Sequence, residues 1–239
     1  MLPISILSIY FKNDERALLP KRMARATPDM MLALQQVGAA LEARGGLLCL
    51  SDLFRSYEMQ LQSHLDWKTG RKKAFSPPPG GSLHEAGRAL DLDLESLGIK
   101  LSDFWSLAKE HGLSPIISQP ISGASESWHF DCRGSHDLVY RHYKGGKGNN
   151  FDKPYSAMAA SAILAIGVKV DKFGKKQTEA AVQSALIRLG HDIGNIDGGL
   201  GTKTKACLEQ AGVPFTEPAT ILAALEEQLK AKFPGEFSG

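Results

Sequence analysis

From Thr27 to Arg44 the apolar residues Met31, Leu32, Leu34, Val37, Ala40 and Leu41 recur at helical spacing behind a Thr27-Pro28 start. Threonine is a capping residue and proline fits the first helical position, so a helix is predicted, ended by Gly45-Gly46. "LLCLSDLF" reads as a short buried strand, and "RSYEMQLQSHLDW" returns to helical character. The prolines and glycines of "TGRKKAFSPPPGG" predict a loop. In "RALDLDLES", Leu90, Leu92 and Leu94 alternate with Ala89, Asp91 and Asp93, the period of a half-buried strand with both aspartates on one face. "LSDFWSLAKEHGL" predicts a helix capped by Ser102 and closed by Gly112, and "SWHFDCR" a further short strand. Strands and helices arranged in this way argue for an α+β fold rather than a doubly wound parallel sheet.

Composition changes at "YKGGKGNNFDKPYS", where glycine, lysine and asparagine dominate. The expected organisation is a first domain over 1–148, a linker over 149–174 and a small helical module over 175–239. At 43% hydrophobic and 23% charged residues, wholesale disorder is excluded. A net charge of +2 provides no broad basic field, so nucleic acid is not an expected partner. Cys49, Cys132 and Cys207 are far apart and form no CxxC, which argues against a disulfide framework or a cysteine zinc finger. The apolar run Leu2–Phe11 has no basic residue ahead of it and makes a poor secretory signal. No apolar stretch reaches the roughly 20 residues of a membrane span. A monomer is expected.

Two stretches carry the chemistry, "SLHEAGRALDLD" and "ESWHFD". A catalytic zinc ion needs about three nitrogen or oxygen ligands and an open position, and His84, Asp91 and His129 supply such a set. Gly87 lies between the first two and permits a tight bend from a loop into the strand that carries Asp91. His129 then comes from a neighbouring strand, with Trp128 and Phe130 on the opposite face. Asp93 is an alternative to Asp91, or stands outside the site; Cys132 is a candidate soft ligand, or a small buried apolar residue. Glu126 precedes His129 by three, so in a regular strand the two would point apart. A bend, which Ser125 and Ser127 permit, would bring the Glu126 carboxylate beside the metal as a proton acceptor.

These segments match the S-x-H-x-x-G-x-A-x-D and E-x-W-H patterns of the zinc D-alanyl-D-alanine peptidases, the VanY-like carboxypeptidases and related phage cell-wall endopeptidases. Upstream, "DLFRSYEMQ" is similar to that family's arginine-serine-glutamine segment. The resemblance covers roughly residues 25–145. It implies an antiparallel sheet with flanking helices, one zinc ion held by His84, Asp91 and His129, Glu126 as base, and Arg55 binding a substrate carboxylate through its planar fork. It also implies hydrolysis of peptidoglycan stem peptides at the cell wall or in the periplasm, as a D,D-carboxypeptidase or an L-alanyl-D-glutamate endopeptidase. "SDLF" stands where many relatives have "TSGY", which leaves the substrate pocket open.

"VQSALIRLGHDIGNIDGGLGTKTKACLEQAGV" resembles the small peptidoglycan-binding module. Val182, Leu186, Leu189 and Gly190 fit its first helix, and Asp197, Gly198, Gly201 and Thr204 its turn. Glycines at a bend and a threonine opening the next helix also explain that segment without any ligand. "GGLGTKT" has only a superficial likeness to a phosphate-binding loop, because Thr202 separates Gly201 from Lys203. The leading expectation is a zinc peptidase tethered to a wall-binding module. The alternative is a non-catalytic, zinc-stabilised wall-binding protein, for which Glu126 would be superfluous.

Overall fold

In the computed structural model, which describes residues 1–238, the chain start folds as β1 (Leu2–Pro3), β2 (Leu7–Lys12), β3 (Glu15–Leu18) and β4 (Arg25–Ala26). Asn13 and Asp14 both take left-handed backbone, φ 53° and 64°, and turn β2 back on β3 with Lys12 opposite Glu15. Two successive residues with positive φ make the tight hairpin turn whose twist matches the strands, and asparagine and aspartate tolerate it best after glycine.

Helix α1 (Pro28–Glu42) starts where the Thr27-Pro28 signal puts it. The Thr27 hydroxyl does not cap it, however; it accepts a hydrogen bond from Arg88 Nη1 at 3.1 Å. The buried stripe is Met30, Ala33, Leu34, Val37 and Leu41, while Leu32 is 51% exposed. Leu34, Val37 and Leu41 set the phase, and Met30, four residues before Leu34, falls on their face where Leu32 does not. Strand β5 (Cys49–Asp52) and helix α2 (Tyr57–Lys68) follow, the latter capped by Ser56 Oγ, which accepts from the Met59 amide at 3.3 Å. Strand β6 (Ala89–Leu92) leads to α3 (Leu101–Glu110), β7 (Leu113–Pro115) and β8 (His129–Cys132). The N-cap of α3 is Lys100, so Ser102 lies within the first turn rather than capping it.

Six strands form one sheet in the order β3-β2-β5-β6-β8-β7, antiparallel throughout except for the parallel pair β2 and β5. With α1 and α3 packed on it, the fold is α+β. Leu90, Leu92 and Phe130 belong to the buried core, and Phe130 meets Phe104 of α3 edge-on at 5.0 Å. Register places Asp91 opposite both His129 and Asp52. Residues directly opposite one another share a face, so three polar side chains form a row across the central strands, away from the apolar face.

This sheet and its helices make up one compact unit, Met1–Pro77 with Leu83–Arg133 and Ser238; the other comprises Pro78–Ser82 and Gly134–Phe237. The second unit carries α4 (Asp137–Lys144), α5 (Pro154–Ala165), α6 (Gln177–Leu189), α7 (Thr202–Gln210) and α8 (Pro218–Lys232). The stretch 149–174 contains α5, in which residues from Ala157 to Leu164 are buried. The Gln183 side chain of α6 organises the following turn. It donates to Asp197 Oδ1 at 2.9 Å and accepts from the Asp197 and Gly198 amides at 2.8 and 2.7 Å. Gly198 has φ +72°, and a Cβ there would lie 2.6 Å from that of Lys176, so glycine is required. Gly201 is the N-cap of α7, Thr204 is buried inside that helix, and Lys203 pairs with Asp192 at 3.2 Å. Among the described residues no helix is long and apolar enough to cross a membrane.

Candidate metal centre

His84 sits on a 3-10 turn, Leu83–Ala86, that runs into β6 through Gly87 at φ +63°. A side chain at Gly87 would collide with the backbone before α1, because its Cβ would stand 3.1 Å from the Arg25 carbonyl oxygen and 3.2 Å from Ala26 Cα. The loop-to-strand bend therefore depends on glycine at this point. Asp91 on β6 and His129 at the start of β8 face one another across the sheet. One ligand atom from each of His84, Asp91 and His129 lies within 4.8 Å of the other two.

Hydrogen bonds settle which atoms converge. His84 Nδ1 lies 2.8 Å from the Leu53 carbonyl, which can only accept, so Nδ1 carries the proton. Nε2 then turns a lone pair toward Asp91 Oδ1, 3.4 Å away. His129 Nε2 is 3.0 Å from Oδ1 of Asp131, a fully buried carboxylate, and His129 Nδ1 is 2.9 Å from the same Asp91 Oδ1. Two imidazole nitrogens thus face one carboxylate oxygen in a buried place. Electron pairs so arranged need a cation between them, either a proton or a metal ion. The donor set, two nitrogens and one carboxylate, is one that a metal ion such as zinc can use.

Electrostatics follow the same geometry. Burial opposes ionisation of Asp91, but His84 and His129 outweigh it and hold its carboxyl well below the usual carboxylate range. Burial would likewise lower His129, yet the bonds to Asp131 and Asp91 prevail and push it up to about 10. A metal ion bound at this imidazole would have to displace a proton.

Arg55 is 8% exposed and grips the cluster from behind. Its Nη2 reaches Asp91 Oδ2 at 3.3 Å, the oxygen turned away from the histidines, while Nε and Nη1 bond Asp52 Oδ2 at 2.6 Å and Gln60 Oε1 at 3.2 Å. Gln60, the glutamine of the "RSYEMQ" segment, is fixed in turn by Ser76 Oγ at 3.0 Å and Pro77 O at 2.6 Å. Glu126 precedes β8 in a turn closed by the bond from the His129 amide to the Glu126 carbonyl, 3.1 Å, and its own φ is +66°. The bend expected between Glu126 and His129 is therefore a left-handed residue, Glu126 itself. Burial raises the Glu126 pKa and the Asp91 charge adds to the rise, while His129, Lys72 and His84 oppose it.

Asp93 stands outside the cluster: it caps a 3-10 turn and pairs with Arg16 at 2.9 Å. Cys132 is buried, with Sγ 3.5 Å from Asp29 Oδ2. Asp131 and Asp52 were not singled out by the motifs. For Asp131 a signal existed, since residues two apart in a strand share a face and Asp131 follows His129 by two. Replacing Asp131 by alanine should weaken zinc binding by about 10- to 100-fold, because a buried carboxylate on the far nitrogen fixes both the tautomer and the ring orientation of a ligand histidine. Competition against a chromogenic chelator measures this, with Asp131→Asn expected to lose less. Wild-type affinity in a folded Asp131→Ala protein would rule that role out.

No protein-family model matches the chain, and no curated protein matches it. Among solved structures it is similar to the LdcB LD-carboxypeptidase, described with the molecular basis of peptidoglycan recognition. The identity is 22% over 53% of this chain and 78% of that one, with a TM-score of 0.36. It is also similar to the vancomycin-resistance D,D-pentapeptidase VanY from a VanB-type cassette in complex with Zn(II). There the identity is 17% over 57% of this chain and 83% of that one, with a TM-score of 0.34. Fold likeness at this level assigns no chemistry to the chain, because chemistry belongs to sites rather than to folds.

Proposed function

We propose that the chain is a zinc-dependent peptidase acting on the stem peptides of peptidoglycan, with its site of action in the cell wall or periplasm. The observation that carries this reading is the convergence of His84 Nε2, His129 Nδ1 and Asp91 Oδ1. A zinc ion held there supplies Lewis acidity toward water and toward a peptide carbonyl. His84, Asp91 and His129 would hold the ion, and Asp131 keeps the His129 ring oriented. Glu126 takes a proton from the attacking water and returns it to the leaving amine, a task its raised pKa suits because it narrows the gap to that of the water being deprotonated. Arg55 steadies Asp91 through its pair with Oδ2. Cleavage as a D,D-carboxypeptidase and as an L-alanyl-D-glutamate endopeptidase both use this arrangement.

The module over 175–239 is proposed to hold the enzyme on the polymer, which raises the effective concentration of bonds at the active site. Its support is the ordered turn that Gln183, Asp197 and Gly198 build between α6 and α7.

Mass spectrometry of purified peptidoglycan treated with zinc-loaded protein tests both parts. Release of terminal D-alanine, or new amino termini within the stem, is expected from the full chain, together with its sedimentation on insoluble wall. A folded protein that binds one zinc ion and sediments with the wall but releases nothing would leave the non-catalytic wall-binding protein as the better description.

A further inference from the structure

Lys72 lies in the loop that follows α2, and its Nζ donates to Ser63 Oγ at 2.9 Å. From there a polar chain runs through Ser76 Oγ, 3.0 Å from Ser63 Oγ, and Gln60 Nε2, 3.0 Å from Ser76 Oγ, to Arg55. Among the described residues no carboxylate approaches Lys72 Nζ within ion-pair distance. Its ammonium nevertheless lies in the field of the metal centre. Burial and Arg55 lower its pKa, while Asp91, Asp52 and Glu126 pull the other way. A bound anion beside it would oppose that lowering by its charge. Arg55 is placed differently, because Asp52 and Asp91 already match its charge at 2.6 and 3.3 Å. Of the two cations, Lys72 is the one whose charge no protein carboxylate answers directly.

We propose that Lys72 is a specificity-determining cation of the peptidase site, favouring stem peptides that carry free carboxylates on neighbouring residues over their amidated forms. The inference rests on the peptidase reading above. Lys72 is linked to Arg55 through two serine hydroxyls and Gln60, so a change of charge at Lys72 is transmitted to the residues that hold Asp91. In stem peptides such a carboxylate has two sources: the α-carboxylate of D-glutamate, and the extra side-chain carboxylate that diaminopimelate has and lysine lacks.

Three synthetic substrates separate these sources: L-Ala-γ-D-Glu-diaminopimelate-D-Ala-D-Ala, its D-glutamate α-carboxamide, and its diaminopimelate side-chain carboxamide. Zinc-loaded wild-type protein should disfavour at least one amide by about tenfold in kcat/KM, mainly through KM, the scale of one charge-assisted hydrogen bond. Lys72→Met should erase the discrimination at one of the two positions, and Lys72→Arg should keep it. The identity of that position names the carboxylate. Equal treatment of all three peptides by the wild type, or undiminished discrimination at both positions by a folded, zinc-loaded Lys72→Met protein, would overturn the proposal. If the wild type cleaves none of them, the peptidase reading fails separately, and equilibrium binding of the same peptides decides the role of Lys72. Tighter binding of the acid by wild type but not by Lys72→Met would then support it, and equal binding would refute it.

Discussion

Glu126→Ala is expected to keep its fold and its zinc and to lose about 100- to 10,000-fold in kcat, the usual worth of a positioned general base. The ligands lie on other residues and nothing in the metal cluster hydrogen-bonds to the Glu126 side chain, so metal content should be unchanged. Glu126→Gln is the stricter variant, because it keeps volume and polarity and removes only the ability to take a proton. Zinc analysis beside steady-state kinetics on a defined stem peptide gives the answer. Near-wild-type kcat in a zinc-loaded Glu126→Ala protein would end the general-base assignment.

Backbone geometry adds a second arm to this prediction. Glu126 is held at φ +66°, a conformation that costs an L-residue with a side chain roughly 1–2 kcal/mol. Only Asn13 and Asp14, in the hairpin turn, share a positive φ among the non-glycine residues described. Glycine would relieve the strain and lose roughly 0.5–1 kcal/mol in chain entropy. Glu126→Gly should therefore be as stable as wild type, or more stable by up to about 1.5 kcal/mol, while remaining inactive. A gain or parity in stability with lost turnover is the signature of strain held for function. A Glu126→Gly protein that melted well below wild type would show that the turn depends on the carboxylate rather than tolerating it.

Periodicity made α1, α3 and β6 legible because each has one face on a single core, and one-sided burial writes a period into the chain. The β2–β3 hairpin escaped the hydrophobic pattern, although "KNDE" places two left-handed-tolerant residues between its strands, the turn signal such hairpins use. Helix caps were legible only where local bonding decides. Ser56 caps α2, but the Thr27 hydroxyl is taken by Arg88, a residue far away in sequence. Strand β6 looked half-buried because Asp91 is polar. All four of its residues are buried, since the polar face is covered by the cluster rather than by water. The motif residues His84, Asp91 and His129 are close in space as their spacing suggested. What surrounds them was legible in part: Asp131 shares the His129 face two residues on and Gln60 stands in the arginine-serine-glutamine segment, but their bonds to His129 and Arg55, and that of Asp52, depend on cross-strand register and loop path. Lys72 lies in a loop without any period, and only the folded chain brings it near Arg55.

Arg88→Met is expected to destabilise the fold by about 3 kcal/mol, more than a surface charge change and toward the lower end for breaking a buried ion pair. Arg88 is 2% exposed and occupies the step between Gly87 and β6. Its Nη1 bonds Asp29 Oδ1 at 2.9 Å and Thr27 Oγ1 at 3.1 Å, Nη2 pairs with Asp29 Oδ2, and Nε bonds the Cys132 carbonyl at 3.0 Å. One guanidinium thus ties the first turn of α1, the entry to β6 and the end of β8, the elements that set His84, Asp91 and His129 relative to one another. Methionine fills similar space but leaves Asp29 and the Cys132 carbonyl without that donor. The Asp29 side chain keeps 17% of its exposure, and partial access to water moderates the loss. Urea denaturation of Arg88→Met, Asp29→Asn and the double variant measures it, and the double variant should lose less than the sum of the singles because both lack the same bonds. Zinc supplies an independent check. A ligand that binds only the folded state at 100 times its Kd adds about 2.7 kcal/mol, nearly the whole deficit. Arg88→Met should accordingly melt near the metal-free wild type when zinc is present and far below it in a chelator. Strict additivity in the double variant would show that Arg88 does not act through its bonds to Asp29.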